Sequence, residues 1–188
     1  MNRIHSSSAA LVAAFSLMLT ASPSRANAQE VVRATAEITG CMDSGITGTA
    51  QLTERPSEEG VKLVKVSLVV NGLPDGKHAV HIHEVATCVP CGDAGGHHDP
   101  GPAGNSSPDG NHPFHMGDLV NLEVHGGVGV MHTTTSRITL SAGPLSVFDE
   151  NGSAFIIHAN EDSYCPSPVV AGCAGGARVA CGIITPAP

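Results

Sequence analysis

KHAVHIHE, residues 77–84, reads as a β-strand carrying an unusual load. Side chains alternate sides along a strand, so His81 and His83 point to the same face. A strand face with two imidazoles is a poor way to build an apolar core. The pair therefore implies a second job for this strand.

The chain on either side supports a β reading. No long segment shows a helical period; short β-branched runs recur instead, separated by Gly, Pro, Asp and Asn. Strands are expected over 31–39, 46–53, 61–70, 77–84, 118–124, 136–140, 153–159 and 178–184, with Asn71-Gly72-Leu73-Pro74-Asp75-Gly76 as a turn between the third and fourth. Eight short strands imply an all-β fold, an antiparallel sandwich or barrel with Greek-key connections. With no Trp and one Tyr, its core must come from Val, Ile, Leu and Ala.

Two connections are out of proportion, Val85 to Gly117 and Asn160 to Ala177. Loops of that length in a compact domain are usually functional or disordered. The first is dense in His, Gly, Pro and Cys, a composition that metal bonds and a disulfide could order and a hydrophobic core could not.

The N-terminus points to export. A basic start, the apolar run AALVAAFSLMLTA and small residues around Ala26-Asn27-Ala28 read as a secretory signal peptide over residues 1–28, with the functional domain over 29–188. The apolar run is short for a membrane span of roughly 20 residues. Without Arg3 and Arg25, seven basic residues face 17 acidic ones, about −10. That balance argues against nucleic acid or membrane partners. The destination is periplasmic or extracellular. A homodimer is compatible with the sequence, which carries no signal deciding the oligomeric state.

Six cysteines in an exported chain read first as disulfides. Cys88-Val-Pro-Cys91 has the spacing of a redox or zinc motif, but no thioredoxin-like βαβ pattern surrounds it. Histidine is the more telling residue. Of eleven, His81 and His83 share a strand face, His97 lies in GGHHDP, His115 opens HMGD, and His158 closes AFII. Neutral imidazole suits copper and zinc.

GLPDGKHAVHIHE, GGHHDP, HMGDL, FIIHANED and ARVACGII occur in an order that resembles the signatures of the copper–zinc superoxide dismutase family, across nearly all of residues 29–188. The resemblance implies an eight-stranded Greek-key barrel, immunoglobulin-like in its sandwich geometry, with two long functional loops. It implies conversion of two superoxide ions to dioxygen and hydrogen peroxide, with copper and zinc as cofactors. Residue by residue, it implies that His81, His83 and His158 bind copper and that His97 bridges copper to zinc as an imidazolate, giving it a catalytic role. His115 and Asp118 would bind zinc. Arg178 would orient the superoxide anion, Asp162 would hydrogen-bond metal-ligating histidines, and His78 would be structural. The alternative is an exported copper- and zinc-binding protein of the same fold without turnover.

The resemblance also bears on the cysteines. Cys181 matches one half of the family disulfide, and its partner is expected in CVPC; Cys88 is preferred to Cys91, since GGHHDP looks like the bacterial branch. Cys165 and Cys173 are expected to close a small ring, which leaves Cys41 and Cys91 available to each other.

One position departs from the family. Its third zinc histidine falls eight or nine residues after the bridging one, which lands here on Asn105 or Ser106. Neither is a good zinc ligand, so His112 in NHPFH is the preferred replacement, ahead of His98. The other reading is a surface His112, with water completing a weaker site.

Overall fold

The computed structural model describes residues 31–101 and 104–188; the expected signal peptide lies outside them. Ten strands form one antiparallel sheet: β1 Val32–Gly40, β2 Thr47–Pro56, β3 Lys62–Asn71, β4 Gly76–His78, β5 Val80–His83, β6 Leu122–His125, β7 Val128–Thr135, β8 Ala154–His158, β9 Arg178–Ile183 and β10 Thr185–Ala187. Their order is β4-β6-β7-β3-β2-β1-β9-β8-β5, with β10 added beside β1. The two ends of that order, β4 and β5, are separated in the chain by Ala79 alone. One segment thus pairs with β6 through its first half and β8 through its second, and the sheet nearly closes into a barrel. Counting β4 and β5 as one strand and β10 as an extension gives eight barrel strands. The β3-to-β4 connection passes β7 and β6, a Greek-key crossing.

Alternation builds the core. Val64, Val66, Leu68 and Val70 of β3 point inward with no exposed surface, facing Ile82, Phe155 and Ile157. Each such side chain contributes roughly 1.5–3 kcal/mol on burial. On β5 the same face-sharing puts Ile82 in the core and His81 and His83 outside the barrel wall, yet all three are fully buried. The first long loop is what covers the two histidines. Its His98 donates an amide N–H to Ile82 O (2.8 Å), and Ile82 N–H donates to Gly117 O (2.9 Å). The free edge of β5 is therefore closed by the loop, as an exposed edge strand requires.

Two sequence expectations need correction. Residues 136–140 are not a strand; β7 occupies 128–135 instead. Ile138 and Leu140 are buried as expected of a strand, but instead of a ladder the carboxylate of Glu54 accepts from the N–H groups of Leu140 and Ser141. β7 was hard to see because its inward positions are Gly129 and Met131 and its outward ones Val128 and Val130. It follows β6 through Gly126-Gly127, both at positive φ (59° and 77°), a tight hairpin that glycine alone adopts cheaply. The strand expected from Asp118 begins only at Leu122, leaving Asp118 in the loop.

All six cysteines pair: Cys41–Cys91, Cys88–Cys181 and Cys165–Cys173. Two of these bonds pin the first loop and the third closes a ring in the second.

Candidate metal centre

Three strand histidines converge, and each is oriented by a hydrogen bond on the far side of its ring. His81 Nε2 donates to Asp162 Oδ2 (3.1 Å), His83 Nδ1 to Gly95 O (3.0 Å) and His158 Nδ1 to Gly176 O (2.9 Å). A neutral imidazole that donates from one nitrogen presents a lone pair on the other. His81 Nδ1 and His158 Nε2 are left 3.3 Å apart, and His83 Nε2 is buried with no partner. His97 completes the group from the loop, its ring centroid 4.1 Å from that of His81 and 4.9 Å from that of His83. One donor atom from each of His81, His83, His97 and His158 lies within 4.8 Å of the others.

A second group lies on the other side of His97. Its Nδ1 is 2.7 Å from Asp118 Oδ1, while its Nε2 is buried and unpartnered. His115 Nδ1 lies 3.0 Å from Asp118 Oδ2, and His112 Nδ1 lies 3.1 Å from the same oxygen without hydrogen-bond alignment. His112 is buried, not a surface residue. Its Nε2 meets both oxygens of Asp162, at 2.8 and 2.7 Å. Asp162 therefore touches one ring of each group, His81 and His112.

Orphaned buried nitrogens are costly unless something binds them. Here four of them, His83 Nε2, His97 Nε2, His112 Nδ1 and His115 Nε2, belong to one cluster. The Nδ1 atoms of His97, His112 and His115 gather on Asp118, and His97 Nε2 remains for the strand histidines, an arrangement that fits two metal ions sharing His97. The four-imidazole set suits copper, and three imidazoles with a carboxylate suit tetrahedral zinc.

Burial sets the charge state of the first group. Loss of solvent, reinforced by neighbouring imidazoles, holds His158 down at about 3. Desolvation brings His97 to about 4 against the pull of Asp118. His81 and His83 are lowered by the same burial. All four are neutral, ligand-ready rings at pH 7. His112 goes the other way: burial opposes its charge, but hydrogen bonds to Asp118 and Asp162 raise it to about 9. Bonds from the histidines, against burial, hold both carboxyls well below the usual range.

Arg178 sits opposite His158 in the β8–β9 register, across a bulge. Its Nη1 donates to Cys91 O (2.9 Å) and Gly92 O (3.1 Å), and its Nη2 to Gly95 O. Gly95 O is thus shared between Arg178 and His83. His78 packs beneath, with Nδ1 2.8 Å from His158 O and Nε2 3.0 Å from Pro74 O. His98 joins neither group; its Nδ1 lies 3.4 Å from Ser153 Oγ. Sequence reasoning missed Glu84, which accepts from Gly96 N–H at 2.8 Å and steadies the turn before His97. Its place directly after HIH was the only signal.

The chain matches the family model described as copper/zinc superoxide dismutase over residues 46–184. It is 39% identical over 153 residues to a copper–zinc superoxide dismutase of Deinococcus radiodurans, covering 73% of this chain and 76% of that protein. A copper–zinc superoxide dismutase of Legionella pneumophila is 38% identical over 124 residues, 61% of this chain and 66% of that protein. An extracellular copper–zinc superoxide dismutase of Drosophila melanogaster is 34% identical over 128 residues, with coverages of 64% and 67%.

Proposed function

The chain belongs to the copper/zinc superoxide dismutase family, and from that premise we propose which of its residues do the work. The activity is that of an oxidoreductase with copper and zinc as cofactors, converting two superoxide ions to dioxygen and hydrogen peroxide. In our reading His81, His83, His97 and His158 hold copper, and His97, His112, His115 and Asp118 hold zinc. The observation that carries this is a pair of overlapping buried ligand groups, one of His81, His83, His97 and His158 and one of His81, His97, His112 and Asp118, with His115 Nδ1 3.0 Å from Asp118 Oδ2 beside the second. Copper, when bound, supplies the one-electron couple that takes superoxide to dioxygen in one half-reaction and to peroxide in the other.

The protein's own residues supply the rest. The Arg178 guanidinium, always cationic, attracts the anion and fixes its orientation beside His158 and His83. Three backbone carbonyls hold that guanidinium in place. His97 holds or releases a proton at Nε2, the nitrogen facing the copper set, and its ring stays oriented through Nδ1. Asp162 locks His81 and His112 in mutually consistent tautomers. Peroxide leaves with protons, one of which His97 is placed to deliver.

We further propose that the chain is exported, with residues 1–28 as its leader, to the periplasm or the medium. Three disulfides support an oxidising compartment. The acidic balance argues against nucleic acid or an anionic membrane as a partner; superoxide as the substrate follows from the family.

The test is superoxide consumption by protein loaded with both metals, alongside His83→Ala with its zinc content measured. Turnover in the wild type that disappears in the variant, at unchanged zinc, is expected. Full loading without activity above buffer would instead leave a metal-binding protein without turnover.

A further inference from the structure

Arg178 is gripped by a turn that is covalently pinned twice. Residues 88–95 carry all three carbonyls that accept from it, at Cys91, Gly92 and Gly95. The Cys88–Cys181 bond ties the start of that turn to β9, three residues beyond Arg178 itself. The Cys41–Cys91 bond ties its middle to the end of β1.

The second bond is the more direct restraint on the guanidinium. Cys91 is both a disulfide partner and an acceptor, so the bond fixes the residue whose carbonyl Arg178 uses. Gly92, the next acceptor, is adjacent and has no side chain to anchor it. The other end of the bond is firm. Gly40 pairs with Ala180 of β9 and donates its N–H to Ile46 O at 2.8 Å, so Cys41 is set on the barrel wall. We propose that the Cys41–Cys91 disulfide is a positioning device for Arg178, holding the carbonyl cradle that aims the guanidinium at the substrate anion. The inference rests on Arg178 having the role given above. It adds that a bond outside both donor sets controls the reaction through that side chain.

Both cysteines are half-buried and line a groove of about 750 Å³ together with Cys88, Gly92 and Arg178. The cradle is thus open to solvent on one side, while Ala94 and the disulfide pack on Ala154, Ile156 and Cys181 on the other. Without the bond, the turn would remain attached through Cys88, Glu84 and the buried Ala94, whose carbonyl accepts from Val85 N–H, but Cys91 and Gly92 would be free to sample other conformations. Orientation that the fold no longer supplies must then be found during each encounter, which slows productive capture.

The experiment is a double-mutant cycle between Cys41→Ser/Cys91→Ser and Arg178→Ala in fully metallated protein. Metal content is measured for every variant. In zinc-only protein, the Arg178 Nε–H proton exchange rate is followed by NMR. We expect the disulfide variant to keep both metals, to lose about tenfold in kcat/KM, and to show faster Nε–H exchange. In the Arg178→Ala background the same cysteine changes should cost less than twofold. An equal loss in both backgrounds, or an unchanged Nε–H exchange rate, would overturn the proposal. Full activity of Arg178→Ala alone would instead overturn the role of Arg178 on which it rests. If the serine pair folds poorly, mild reduction of Cys41–Cys91 by a phosphine, mapped by mass spectrometry, reads the same exchange rate.

Discussion

The two donor sets share His97 but are built on different foundations. His81, His83 and His158 lie on β5 and β8, paired strands whose register is fixed by the barrel core. His97, His112, His115 and Asp118 all lie in the stretch between β5 and β6, without a ladder of regular pairing to hold them. Strand-held rings are positioned by the sheet itself; loop-held rings are docked on the β5 edge by a few backbone bonds and by Arg137, and oriented by carboxylates. The strand set needs only a backbone carbonyl or Asp162 to choose each tautomer. The loop set depends on Asp118, which touches three imidazoles, and on Asp162, which reaches across from the second loop. Rigid ligands suit an ion that must change oxidation state without rearrangement, and adaptable ones suit an ion that stays closed and structural.

The comparison can be broken most severely on the strand side. His83→Ala is expected to abolish copper-dependent turnover while zinc content stays near one per chain; dismutase assays with metal analysis check both. On the loop side, His112→Ala should weaken zinc binding by more than the ~10–100-fold typical of losing an outer-sphere partner, with copper still bound. Competitive chelator titration measures it, and unchanged zinc affinity would remove His112 from the ligand set. Asp162→Asn tests the link between the sets. It should lower affinity for both metals, by ~10–100-fold, because it loosens His81 and His112 together.

Proton linkage offers a subtler contrast in the metal-free protein. His97 and His158 titrate near 4 and 3 when folded, against about 6.5 in an unfolded chain. Below pH 6.5 the unfolded state binds the extra protons, so their contribution to stability is present above that pH and is lost as pH falls towards 4. His112, raised to about 9, does the reverse. Its contribution is full below pH 6.5 and disappears as pH rises through 9. Metal-free melting temperatures should therefore peak near neutral pH, and His112→Gln should flatten the alkaline side only. The smallest effect concerns substrate steering. The loop from Asn160 to Ala177 has no Lys or Arg, so the wild-type rate should fall only gently with ionic strength.

The same contrast explains what the sequence made legible. Strands with outward polar and inward aliphatic residues, such as β2 and β3, were readable from alternation, and so was the face shared by His81 and His83. β7 was not, because Gly129 and Met131 fill its inward positions and valines sit outside. Residues 136–140 imitated a strand because Ile138 and Leu140 are buried, although Glu54, over eighty residues away, accepts from the backbone of Leu140 and Ser141. No local pattern carries a partner that remote. In the site, the strand histidines follow from spacing, whereas the meeting of His112 with Asp118 and Asp162 depends on how two loops fold over one barrel end. Sequence could nominate His112 only by elimination. The carbonyls of Gly95 and Gly176, which choose the tautomers of His83 and His158, have no side-chain signature at all.

The claim that two ion sites meet at one imidazole is tested most directly by anomalous diffraction from metal-loaded crystals at the copper and zinc edges. The account requires a copper peak enclosed by His81, His83, His97 and His158, and a zinc peak enclosed by His97, His112, His115 and Asp118. A zinc peak without His112, or a single metal peak not touching His97, would contradict it.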